Sequence, residues 1–117
     1  MKLFEYEAKS IAQNFALPIP KGFVVSTPEE ARTAFEQLGK PSVVKSQVLV
    51  AGRKKVGGIR LASTSKEAYD IAKEMFGMKI HDELVRKLLV EEVVSARREL
   101  YTGVTVNRSA GCYAILA

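Results

Sequence analysis

Lys45-Ser-Gln-Val-Leu-Val-Ala-Gly-Arg-Lys-Lys-Val-Gly-Gly58 is the stretch on which the reading of this chain turns. An apolar run, Val43-Val44, leads into a lysine. A loop with one glycine and three cations follows, then a glycine pair and a second apolar run. The pattern predicts strand, basic glycine-bearing loop, strand. Glycine lets backbone amides approach an anion closely, and clustered cations supply the field, so the segment suits a polyphosphate. It lacks the Gly-x-x-x-x-Gly-Lys-Ser/Thr spacing and the following helix of a Walker loop. A basic hairpin tip at 53–55 that grips nucleic-acid phosphates is a second reading, although few aromatics flank it to stack on bases.

Lys45 must find an anion or carry its head to water, because a charge inside an apolar strand is costly. Carboxylates occur further on. Leu89-Val-Glu-Glu-Val-Val94 reads as a strand closing in two acids, and Glu99 follows Arg97 and Arg98. Acids at a strand end suit ribose hydroxyls or a metal, or simply form a solvated end with local arginine pairs. His81, the single histidine, reads as neither catalytic nor a ligand, and Cys112 as a small apolar filler.

Outward from this centre the elements alternate. Phe4, Ala8, Ile11, Ala12 and Phe15 fall at helical spacing and predict a helix over 4–15. Leu17-Pro-Ile-Pro20 ends it. Gly22–Val25 is a short strand. Thr27-Pro-Glu-Glu30 and Thr64-Ser-Lys-Glu67 open two further helices through capping boxes, with Gly39 and Gly77 near their ends. Strands are expected at 42–48, 58–62, 88–94, 99–108 and 113–117, and residues 78–86 are expected to form a short helix or loop. The last two strands have no later element to cover them, which suggests the front part of a longer chain. Pairing with the earlier sheet is the alternative.

The 117 residues, 47% hydrophobic and 26% charged, fit one small domain or part of a larger one. No apolar run reaches the roughly 18 residues of a membrane span, and the start is neither a secretory nor a transit signal. A lone cysteine excludes an internal disulfide and a cysteine-based zinc site. A reducing cytoplasm is the setting expected. The net charge of +5 favours an anionic partner.

Met1-Lys-Leu-Phe-Glu-Tyr-Glu-Ala-Lys9, Leu17-Pro-Ile-Pro-Lys-Gly22, Val43-Val-Lys-Ser-Gln-Val48, Gly52-Arg53, Gly57-Gly58, Leu89-Val-Glu91 and Glu99-Leu-Tyr101 occur in this order. Together they resemble the beta subunit of succinyl-CoA synthetase, the ADP-forming succinate–CoA ligase, across essentially the whole chain. Malate–CoA ligase beta chains, or another ATP-grasp ligase, fit nearly as well. The resemblance implies an α/β (α+β) ATP-grasp fold, a mixed sheet flanked by helices. About 20–95 would form the first lobe, with 1–19 and 96–117 contributing to the second. It implies ATP or ADP with Mg2+ as cofactors. Lys45 would meet the phosphates, and Gly52, Arg53 and Lys54 would form the phosphate loop. Glu91 and Val94 would sit at the adenine-side hinge, and Glu99 near the ribose. It implies a partner alpha subunit carrying the CoA site and a phosphohistidine, no membrane and no nucleic acid. The family's magnesium-holding Asn and Asp and its C-terminal domain would lie beyond residue 117. No catalytic or metal residue is therefore expected here, and these residues alone are expected to be inactive. The family usually has Gly-Arg-Gly-Lys where this chain has Gly52-Arg53-Lys54-Lys55. A side chain at 54 would strain the loop if that position needs positive φ.

Overall fold

The computed structural model describes residues 2–117, so Met1 of the first quoted motif lies outside them. Along the chain run α1 (Glu5–Asn14), β1 (Gly22–Val25), α2 (Pro28–Leu38), β2 (Ser42–Ser46), a 3-10 helix (Arg53–Val56), β3 (Ile59–Ala62) and α3 (Ser65–Met75). Then come β4 (Lys79–Ile80), β5 (Glu83–Leu84), β6 (Leu88–Glu92), β7 (Gly103–Asn107) and β8 (Cys112–Leu116).

Both capping signals act. Thr27 Oγ1 accepts the Glu30 amide at 3.2 Å, and Thr64 Oγ1 accepts the Glu67 amide at 3.1 Å. The two glutamates return bonds to the amides of Ser26 and Ser63, the residues just before each cap. Pro28 needs no donor in the first turn of α2, and Gly39 closes that helix at φ 65°.

Four strands form one sheet in the order β1-β6-β2-β3. Every ladder is antiparallel, with Val44 opposite Val90 and Arg60, and Gly22 opposite Glu91. The sheet is therefore antiparallel rather than mixed: each strand reverses at the next, and no helical crossover joins two neighbours in parallel. Side chains alternate between its faces. Val25, Val44, Ala62, Leu88 and Val90 point to one side, where Ala31, Ala34 and Leu38 of α2 and Ala68, Ala72 and Met75 of α3 cover them. Small alanines let both helices approach closely, and this layer is the core. The opposite face carries Gly22, Val43, Lys45, Leu89 and Glu91.

Helix α1 meets that second face, and not with its apolar stripe. Ile11 and Phe15 are 47% and 76% exposed, and α1 buries no residue. The side turned to the sheet bears Glu5, Tyr6 and Lys9. The reason is complementarity: the face it meets presents Lys45 and Glu91, so a charged helix side fits where an apolar stripe would strand two ions.

Residues 79–84 depart from the short helix or loop expected over 78–86. They form a tight β4–β5 hairpin whose two turn residues, His81 and Asp82, both have positive φ (46° and 69°). Such a turn matches the right-handed twist of its strands. β7 and β8 pair only with each other, so neither joins the earlier sheet. Cys112 is exposed at the start of β8, not packed as filler.

Candidate functional site

Lys45 sits near the end of β2 and Glu91 on the adjoining β6, on the same face. Their side chains form an ion pair, and Lys9 of α1 bonds the other oxygen of Glu91. Glu91 can lie this close because Gly22 opposite has no side chain: a Cβ there would stand 2.7 Å from the Glu91 Cβ. Glu5, one turn before Lys9, completes the group. Its Oε1 lies 2.9 Å from both Lys45 Nζ and Lys9 Nζ, and its Oε2 lies 2.6 Å from Arg53 Nη2. Arg53 also donates through Nη1 to the Ser46 carbonyl at 2.6 Å. Five charged side chains thus converge: three cations and two acids.

The electrostatics follow from this geometry. Burial alone would raise the Glu5 carboxyl, but bonds from Lys9, Lys45 and Arg53 outweigh it and hold it at about 2. Burial would likewise lower the Lys45 ammonium, yet bonds to Glu91 and Glu5 raise it above the ordinary lysine value. Lys45 is thus a fixed cation, not a proton donor.

The loop after β2 explains why Arg53 points inward. Gly52 (φ 86°) and Gly57 (φ 77°) bracket the 3-10 helix, and Lys54 lies within it without positive φ. The side chain at position 54 is accommodated, because the left-handed positions fall on the glycines at either end. Gly58 closes the loop. Its amide donates to the Arg53 carbonyl at 2.8 Å, and its own carbonyl accepts both the amide and the hydroxyl of Ser46. A Cβ on Gly58 would stand 2.6 Å from Ser46 Oγ and 2.8 Å from Ile80 Cδ1. The β4–β5 hairpin braces the same loop, with Glu83 accepting the Leu49 amide at 2.8 Å.

An open cavity of about 660 Å³ lies against this loop, lined by Glu5 and by Ala51, Gly52, Arg53 and Lys54. Among the described residues no acceptor takes the amides of these four loop residues. Free amides beside fixed cations are the donor set a phosphate requires. A second cavity, about 440 Å³, lies beside α1 against Lys9, Lys21, Gly22, Leu89 and Glu91.

The structure therefore gathers Lys45, Gly52, Arg53, Lys54 and Glu91 around α1 and the loop. It does not bring Val94 or Glu99 into the cluster. Both are exposed in the connection from β6 to β7, and neither makes an ion pair or side-chain hydrogen bond among the described residues. Residues 53–55 form a helical turn within the connection between the antiparallel strands β2 and β3, and Arg53 is pinned inward, leaving Lys54 and Lys55 as its exposed cations. Among the described residues no group of three or more His, Cys, Asp or Glu is placed to hold a metal ion. Likewise, no helix is long and apolar enough to cross a membrane. Sequence reasoning missed Glu5 and Lys9. Their four-residue spacing on one helix side was the available signal.

Comparison with known proteins agrees with this architecture. The chain is 46% identical over all 117 of its residues to the beta subunit of ADP-forming succinate–CoA ligase from Pyrobaculum islandicum, covering 31% of that protein. It is 45% identical over 109 residues to the beta subunit of GDP-forming succinate–CoA ligase from Thermus thermophilus, covering 93% of this chain and 29% of that one. The crystal structure of phosphoribosylamine–glycine ligase from Thermotoga maritima superposes with a TM-score of 0.72 at 19% identity, over 98% of this chain and 28% of the other. The chain thus spans about a third of the length of the curated relatives it matches. A family model for the ATP-grasp domain matches residues 2–117, and the chain belongs to that family.

Proposed function

We propose that this chain is the nucleotide-gripping front part of an acid–CoA ligase beta subunit. The reaction is succinate, CoA and ATP to succinyl-CoA, ADP and phosphate, passing through a phosphohistidine on an alpha subunit that also carries the CoA site. The observation that carries the reading is the convergence of Lys45 and Arg53 on Glu5, which with Arg53 lines the cavity against the loop 51–54. Succinate is preferred to malate because the similar beta subunits are named for it.

In this reading Lys45 and Arg53 neutralise phosphate charge, and the loop amides from Gly52 to Lys54 cradle oxygens. Phosphoryl transfer demands mainly such positioning and charge compensation. Glu91 orients Lys45 and, with Val94, marks the base side, while Glu99 serves the ribose once its segment folds against a nucleotide. Residues about 20–95 form the first lobe, with 1–19 and 96–117 contributing to the second, in a cytoplasmic enzyme. Mg2+ would be held in such an enzyme by residues of the second lobe, together with the nucleotide's phosphates.

Calorimetry tests the reading. The parent should bind ADP or GDP, and Lys45→Ala should weaken binding at least about tenfold through loss of a charge-assisted contact. Equal heats for the two proteins would refute the phosphate role of Lys45.

A further inference from the structure

The cations assigned to phosphate are bonded to a carboxylate of the chain itself. Glu5 touches Lys45 and Lys9 with one oxygen and Arg53 with the other. It also lines the cavity formed by the loop. Carboxylate and phosphate oxygens compete for the same ammonium and guanidinium donors. The charge balance makes the competition consequential. Lys9, Lys45 and Arg53 against Glu5 and Glu91 leave the cluster at three minus two, one net positive charge. Removing Glu5 doubles that excess. Glu91 cannot serve as the mobile acid, since its side chain is only 3% exposed, whereas Glu5 is 20% exposed.

The attachment of α1 supports movement. The helix buries no residue. Beyond the ion pairs it is held by Tyr6 N donating to Gln47 Oε1 at 3.3 Å and by Lys87 Nζ donating to the Tyr6 hydroxyl at 3.3 Å. An element that buries no residue opens at low cost compared with one anchored in a core.

We propose that Glu5 is a displaceable internal counter-anion: a polyphosphate entering the cavity takes Lys45 and Arg53 from it, and α1 loosens from the sheet as the phosphate binds. The inference rests on the phosphate reading above. Inorganic tripolyphosphate is the probe, titrated into the parent, Glu5→Gln and Lys45→Ala, each checked for a cooperative thermal melt. Glu5→Gln should bind about tenfold more tightly than the parent, the scale of one uncompensated charge at a half-buried site. In the unmodified protein, amide exchange across Glu5–Asn14 should quicken when tripolyphosphate is added, which tests the idea even if the variant fails to fold. Equal or weaker binding by Glu5→Gln overturns the inference, as does unchanged or slower exchange in α1. If Lys45→Ala binds as the parent does, the phosphate reading itself falls and takes this inference with it.

Discussion

Glu5 carries a measurable pH signature. Its carboxyl titrates near 4.5 in an unfolded chain and at about 2 in the folded one. The folded state therefore prefers the ionised form. That preference contributes fully above pH 4.5 and is lost as pH falls toward 2, roughly 2 kcal/mol after discounting for partial exposure. We expect Glu5→Gln to be less stable than the parent at pH 6 in urea melts, with the gap closing toward pH 2. A constant gap would contradict this. The need of Lys45 for an anion was legible from its apolar neighbours. Which anion was not, because Glu5 and Glu91 lie 40 and 46 residues away, and only the fold brings them in. The condition for strain at Lys54, a positive φ, does not arise, because the left-handed positions fall on Gly52 and Gly57 on either side.

At the scale of elements, Gly58 is where the 3-10 helix, β2 and the β4–β5 hairpin touch. A methyl there would press on the Ser46 hydroxyl, Ile80 and the Arg53 carbonyl at 2.9 Å or less. Gly58→Ala should cost about 2 kcal/mol, since overpacking against backbone has little room to relax. Thermal melting checks it, and a loss under about 0.5 kcal/mol, the range of an ordinary surface substitution, would show that the loop yields. Both capped helices were legible because Thr-x-x-Glu states its own geometry. The inward side of α1 was not. Periodicity reveals that a helix has two faces, but the neighbour decides which one is turned inward. The β4–β5 hairpin escaped notice because His81 and Asp82 occupy a turn that Asn-Gly usually signals.

For the molecule as a whole, packing is uneven. The four-stranded sheet is roofed by α2 and α3, whereas β7 and β8 expose one apolar row of Val104, Val106, Tyr113 and Ile115, each at least 58% exposed. A two-stranded hairpin without a covered face is marginal in water. Its amides should exchange through local opening, while those of Val44 and Val90 wait for global unfolding. Equal protection in hydrogen-exchange mass spectrometry would contradict that view. The α/β class was legible from alternating caps and apolar runs, but not the antiparallel ladders, since strand order depends on distant pairings. That order has a consequence for synthesis. β6 lies between β1 and β2, yet it is the last of the four to be translated. Until Glu92 clears the ribosome, Gly22–Val25 has no hydrogen-bonding neighbour. The nascent chain must wait with its first strand unsatisfied, and the domain then closes in one late step rather than strand by strand.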